Sequence, residues 1–135
     1  KIKSLNQYIH SKALRNARIC YDHIAGTLGI KITEALLKYE YIELKNDVFN
    51  ITKLGINKLS ELGIINYNLK DIENLRGIKC YDWSEESYHI AGRLGEVITS
   101  GLIRLDWIKK SLTNREVLIT KYGDEGLYKY FNIKL

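Results

Sequence analysis

His23-Ile24-Ala25-Gly26-Thr27-Leu28-Gly29 decides how the chain is read, because it returns as His89-Ile90-Ala91-Gly92-Arg93-Leu94-Gly95, identical at six of seven positions. Each copy comes after a Cys-Tyr-Asp. Cys20-Tyr21-Asp22 runs straight into the first, whereas Cys80-Tyr81-Asp82 reaches the second after six further residues, Trp83 to Tyr88. The matching continues downstream: Ile51-Thr52-Lys53-Leu54-Gly55 answers Ile119-Thr120-Lys121-Tyr122-Gly123, and Leu59 answers Leu127. The sequence is therefore read as an internal duplication, with a connector helix over 1–17, one repeat over 18–64, a connector over 65–79 and a second repeat over 80–135.

Within each repeat the apolar spacing predicts one long helix. Tyr21, Ile24, Ala25, Leu28, Ile32, Ala35, Leu36 and Tyr39 recur at helical intervals. Tyr88, Ala91, Gly92, Gly95, Ile98, Thr99, Leu102 and Leu105 do the same in the second copy. A glycine inside a helix costs about 1 kcal/mol relative to alanine. Ala25, Gly26 and Gly29, like Ala91, Gly92 and Gly95, are thus expected to serve close packing, the two long helices meeting across a pseudo-twofold axis. Asp82 and Ser84 read as N-caps of the second long helix.

Alternating runs on either side of Asn46-Asp47 predict a β-hairpin, and Thr52 caps a short helix with Leu54, Leu59 and Leu62 inward and Gly63 at its end. A helical turn is expected around Asp71 to Leu75. Trp107-Ile108 opens a second hairpin with Thr113-Asn114 near its tip, and Thr120 caps the last helix. The fold expected is α+β and helix-dominated: two winged-helix-like repeats, each long helix, hairpin and short helix, packed as one unit.

Composition narrows the class. The chain has 135 residues, 45% hydrophobic and 27% charged, which suits a globular protein. No apolar run approaches the roughly 18–20 residues of a membrane span. Two cysteines do not make a secreted disulfide scaffold, so a reducing cytoplasm is expected. The net charge of +5 permits an anionic partner without requiring one. The chain has no Met, which points to a piece of a longer protein, and no Pro or Gly/Ser-rich linker to mark a flexible boundary.

The residues from Ala17 to Ile30 resemble the "AR-x-CYDH-LAG-x-LG-V" stretch of a group of bacterial ArsR-type transcriptional regulators. Cys80-Tyr81-Asp82-Trp83-Ser84-Glu85, with His89-Ile90-Ala91-Gly92-x-Leu94-Gly95, is similar to the second such stretch of that group. The spacing to Trp107 and to Ile119-Thr120-x-x-Gly123 fits as well, so the resemblance covers about 15–133. It implies the C-terminal part of a repressor-like regulator. In that group a winged helix-turn-helix domain upstream reads DNA, and no match to that domain occurs in this chain. The resemblance thus implies an effector-sensing or dimerisation role, a homodimer, and DNA as a partner of the full-length protein. A small-molecule effector is possible on this reading, and a membrane is not a partner.

The chemistry-bearing candidates lie around the two motifs. Cys20, Tyr21, Asp22, His23, Cys80, Asp82, Trp83 and His89 form a candidate effector site, with Tyr88 adding to the aromatics nearby. Cys20, His23, Cys80 and His89 have the donor types of a zinc-like site. Against that stand an organic-ligand pocket and a purely structural role, with each Cys a small buried hydrophobe, each Asp a cap and each His bonded to a carbonyl. The Cys-to-His spacing, two intervening residues against eight, argues against equivalent local sites and favours the structural role. No metal or other cofactor is demanded, and no nucleophile with an activating partner is apparent, so enzymatic activity is not expected. Lys45, Lys109, Lys110 and Arg115 at the hairpins could touch DNA phosphates if the hairpins act as wings. Interleaved acidic residues make an ordinary solvated face the simpler account. A tandem winged-helix DNA binder and a structural dimerisation module are the rival functions.

Overall fold

A computed structural model describes residues 17–20, 22–82 and 85–135. The connector helix expected over 1–17 lies almost wholly outside them, as do Tyr21, Trp83 and Ser84. The described elements run β1 (Arg18–Cys20), β2 (His23–Ala25), α1 (Gly26–Lys38), β3 (Ile42–Lys45), β4 (Val48–Ile51), α2 (Lys53–Glu61), a 3-10 turn (Ile72–Asn74), β5 (Arg76–Asp82), β6 (Ser87–Ala91), α3 (Gly92–Arg104), β7 (Ile108–Lys110), β8 (Val117–Ile119) and α4 (Lys121–Phe131). This is α+β, but strands punctuate the chain throughout and helix does not dominate. No helix among the described residues is long and apolar enough to cross a membrane.

The repeated motif is not the start of a long helix. His23-Ile24-Ala25 and His89-Ile90-Ala91 are strand, each the second arm of an antiparallel hairpin. The helix begins only at Gly26 and Gly92, which turn the corner at φ +74° and +73°, backbone that a side chain would strain. A three-residue strand inside a helical apolar period leaves no trace in the periodicity, since Ile24 and Ala25 are buried in either conformation.

The second glycines, Gly29 and Gly95, allow close approach as expected, but not of helix to helix. A Cβ on Gly29 would lie 2.5 Å from the Ile24 carbonyl oxygen and 3.3 Å from Cβ of His89. One on Gly95 would lie 2.5 Å from the Ile90 oxygen and 3.3 Å from Cβ of His23. Each helix therefore presses on its own preceding strand and on the histidine of the other half. Threonines lock the exchange. Thr99 Oγ1 accepts the Ile24 N–H at 3.0 Å, and Thr33 Oγ1 accepts the Ile90 N–H at 3.0 Å. Each hydroxyl satisfies a buried strand amide.

The strands are exchanged too. β3 and β4 form the hairpin predicted around Asn46-Asp47, both at positive φ as a tight two-residue turn requires. That hairpin then pairs through β4 with β5, giving one sheet in the order β3-β4-β5-β6. In the other direction β7–β8 lies beside β1. Ile19 N–H donates to the Arg115 carbonyl at 2.7 Å, Val117 N–H donates to the Ala17 carbonyl at 3.3 Å, and Arg18 bridges Glu116. Each half's outer hairpin thus extends the other half's inner hairpin. Two winged-helix-like units in tandem do not describe this arrangement, because neither half owns a complete sheet.

The short helices obey the expected chemistry. Thr52 Oγ1 accepts Gly55 N–H at 2.9 Å, Thr120 Oγ1 accepts Gly123 N–H at 3.0 Å, and Gly63 ends α2 at φ +81°. Leu59 faces inward as expected, but Leu54 is exposed. Gly55 packs directly on the Tyr41 carbonyl, which turns the Gly55–Leu59 face to the core and sends Leu54 outward. The core is one cluster running from Ile24 and Leu28 through Phe49, Leu59, Ile90 and Leu94 to Ile108 and Leu127.

Candidate functional site

The two inner hairpins bring the repeated cysteines and histidines together. In β1–β2 the register sets Cys20 opposite His23, and in β5–β6 it sets Cys80 opposite His89. The six extra residues of the second copy do not disturb this. They divide evenly about the turn, Asp82 pairing Ser87 and Tyr81 pairing Tyr88, so the hairpin grows longer and keeps its phase. The inequivalence inferred from spacing is overturned: each Cys–His couple is a directly opposed cross-strand pair.

The two couples converge. One donor atom from each of Cys20, His23, Cys80 and His89 lies within 4.8 Å of every other. The two imidazoles face each other, Nε2 to Nε2 at 3.1 Å, with ring centroids 5.0 Å apart. Both histidines are buried, both cysteines are half-buried, and neither thiol is in a disulfide. Carboxylates stand behind both rings. Asp22 Oδ1 lies 3.3 Å from His23 Nδ1. Asp82 Oδ2 lies 3.7 Å from His89 Nδ1, beyond hydrogen-bond length, and that nitrogen is a buried polar atom without a hydrogen-bond partner.

Asp82 does not cap its own half's long helix. Its Oδ2 accepts the Gly26 N–H at 2.8 Å, and its Oδ1 accepts from Arg18 at 3.0 Å. The carboxylate, wholly buried, therefore holds the N-terminus of α1 from across the molecule, where it also opposes the positive end of the helix dipole. The sequence reading gives Arg18, Thr33 and Thr99 no site role. Thr33 and Thr99 both stand four residues after the second glycine of their motif, a coincidence that could have singled them out.

Other expected site residues lie elsewhere. Tyr81 and Tyr88 form an edge-to-face pair, centroids 5.2 Å apart, on the outer face of β5–β6. Strand alternation turns them away from Cys80 and Asp82. Lys45 lies at the tip of β3–β4, while Lys109, Lys110 and Arg115 lie on the β7–β8 hairpin of a different sheet, all exposed. Lys109 is 3.7 Å from Asp106.

Burial, and then the neighbouring His23, push the pKa of His89 down from 6.5 to about 4; Asp82 opposes the shift and Arg18 adds to it. Burial raises the Cys80 thiol, and the adjoining Cys20 raises it further. A histidine whose folded pKa is depressed favours the neutral state. Its contribution to stability is complete above about pH 6.5 and is lost as the pH falls towards 4. The metal-free protein should therefore lose on the order of 3 kcal/mol across that window. Urea unfolding in EDTA at pH 7, 5.5 and 4.5 reads this directly, and His89→Gln should flatten the dependence.

No family model matches the chain, and no solved structure does. The chain is similar over all 135 residues, at 32% identity, to the uncharacterised HTH-type transcriptional regulator YdfF of Bacillus subtilis (strain 168). It spans 60% of the length of that relative.

Proposed function

We propose that this chain is the effector-sensing part of a bacterial DNA-binding transcriptional regulator of ArsR type. DNA is read by a winged helix-turn-helix elsewhere in the protein. The observation that carries the reading is the convergence of both motif copies on one buried cluster of titratable donors, in a chain whose relative bears the name of an HTH-type regulator. Such a cluster joins two hairpins, so whatever binds there biases how the halves pack. A change in that packing can pass to a DNA-reading domain as a shift between two arrangements. The reading includes a homodimer, a cytoplasmic setting, an origin of the halves by duplication, and no catalytic activity.

The full-length protein should retain duplex DNA carrying the region upstream of its own gene, with a Kd on the order of 10 nM or tighter at physiological salt. The 135-residue chain alone should not retain it. Strong retention by this chain alone, falling steeply with salt, would move DNA reading into these residues and favour the tandem DNA-binding alternative. Failure of the full-length protein to retain any such DNA would remove the regulatory reading.

A further inference from the structure

We infer that Cys20, His23, Cys80 and His89 form a closed four-ligand site for a zinc-class divalent metal ion, clamping the β1–β2 hairpin to the β5–β6 hairpin. As a statement of what the domain senses, this rests on the regulatory reading above. As a statement about metal binding, it stands on the geometry alone.

The donors are already gathered. A tetrahedral ion with metal–sulfur bonds of about 2.3 Å and metal–nitrogen bonds of about 2.0–2.1 Å holds its ligand atoms about 3.3–3.8 Å apart. Here all four atoms lie within 4.8 Å of one another, and the two Nε2 atoms are at 3.1 Å. Small movements within two hairpins close the site, and no backbone has to be rebuilt. The donor set, two thiols and two imidazoles, suits zinc and excludes the hard ions that take oxygen ligands. With both thiols ionised, the complex with a divalent ion carries no net charge, which lowers the cost of burying it.

The carboxylates behind the rings, and the buried His89 Nδ1 left without a hydrogen-bond partner, supply a second and independent observation. If one neutral histidine donates its Nε2–H to the other, that donor ring must present a bare Nδ1 to a carboxylate. Either choice leaves one lone pair facing an oxygen, on Asp22 for His23 or on Asp82 for His89. Neither ring sets a lone pair against a carboxylate only when both carry their proton on Nδ1 and turn both Nε2 lone pairs to a shared cation. Histidines that ligate metal are oriented by carboxylates in this way. A single shared proton would meet the same need at the rings, but it would leave the two thiols converging on the same point without a role. All four positions are filled by the protein, so the ion has no open coordination position and its role is to fix packing.

The test is to titrate reduced, chelator-treated full-length protein with Co(II). One equivalent should give the intense visible bands of a tetrahedral ion and a thiolate-to-cobalt charge-transfer band, and Zn(II) should displace it. Cys20→Ser and Cys80→Ser should each abolish or strongly weaken the charge transfer. Asp82→Asn should weaken affinity about 10–100-fold without changing the spectrum. Should these variants fail to fold, the wild type still decides: one equivalent of Zn(II) should protect both thiols from a disulfide reagent. Weak octahedral spectra, unprotected thiols, or a reduced protein that takes up no metal would overturn the site. Metal-dependent retention of operator DNA would support both the site and the regulatory reading. Stoichiometric metal with no effect on DNA would keep the site and remove the sensing role. Intact DNA binding with no metal uptake would remove the site and leave the regulatory reading standing.

Discussion

Gly101→Ala should cost about 3 kcal/mol or more, the upper end of what overpacking produces. It should lower the melting midpoint by on the order of 10 °C. Gly101 lies in α3 where the helix packs on the turn that follows α2. A methyl added there would come within 1.8 Å of the Ile64 carbonyl oxygen and 2.7 Å of its carbon. Those are backbone atoms, so no rotamer change relieves the contact. Ile64 and Ile65 are buried, and Arg104 ties the same turn to α3 through the carbonyls of Gly63 and Ile64. The helix must therefore lift away or the turn must break. Alanine's better helix propensity returns only about 1 kcal/mol. Ser100→Ala, one position away and exposed, is the control, and it should stay within about 0.5 kcal/mol of the parent. Thermal unfolding of the two variants side by side decides it; equal midpoints would mean that the crossing is looser than described.

Asp82→Ala should be of similar size, about 3 kcal/mol in urea unfolding at pH 7. The change orphans the buried Gly26 N–H, at about 1–3 kcal/mol. It also removes a negative charge from the N-terminus of α1, at about 0.3–1 kcal/mol. The Arg18 ion pair adds less, because Arg18 is partly exposed and can turn to water. Asp82→Asn keeps an acceptor for Gly26 and should recover about half of the loss. If Asn proved as damaging as Ala, the charge and not the hydrogen bond would be what the helix start requires.

Asp82 also shows where sequence reading stops. Its type and its place before a helix both mark a cap, and a cap it is, but for α1 and not for α3. Local chemistry names the role, while only the exchange of strands between halves names the recipient. The same division holds elsewhere. The hairpin at Asn46-Asp47, the Thr52 and Thr120 caps and the turn at Gly63 are legible because one short segment settles each. His23-Ile24-Ala25 reads as helix and folds as strand because three buried residues carry no period of their own. The four donors are legible as types. Their equivalence is hidden because spacing along the chain says nothing about hairpin phase. Cys20 meets His23 with two residues between them in sequence, and Cys80 meets His89 with eight between them and the same pairing.

The exchange of hairpins also sets a timetable. On a ribosome adding about 5–20 residues per second, β5 emerges after β4 within a few seconds, so the four-stranded sheet can form while the chain is still being made. β1 finds β2 at once, but the partner of its other edge is not at hand. The segment it needs, around Glu116, is synthesised roughly 5–20 seconds after Arg18. Until then the edge of β1 stays open, and long-range pairing of this kind is slow and prone to the wrong partner. Among the described strands, β1 is completed only by β8, and a chain interrupted before β8 leaves the ribosome with that edge uncovered.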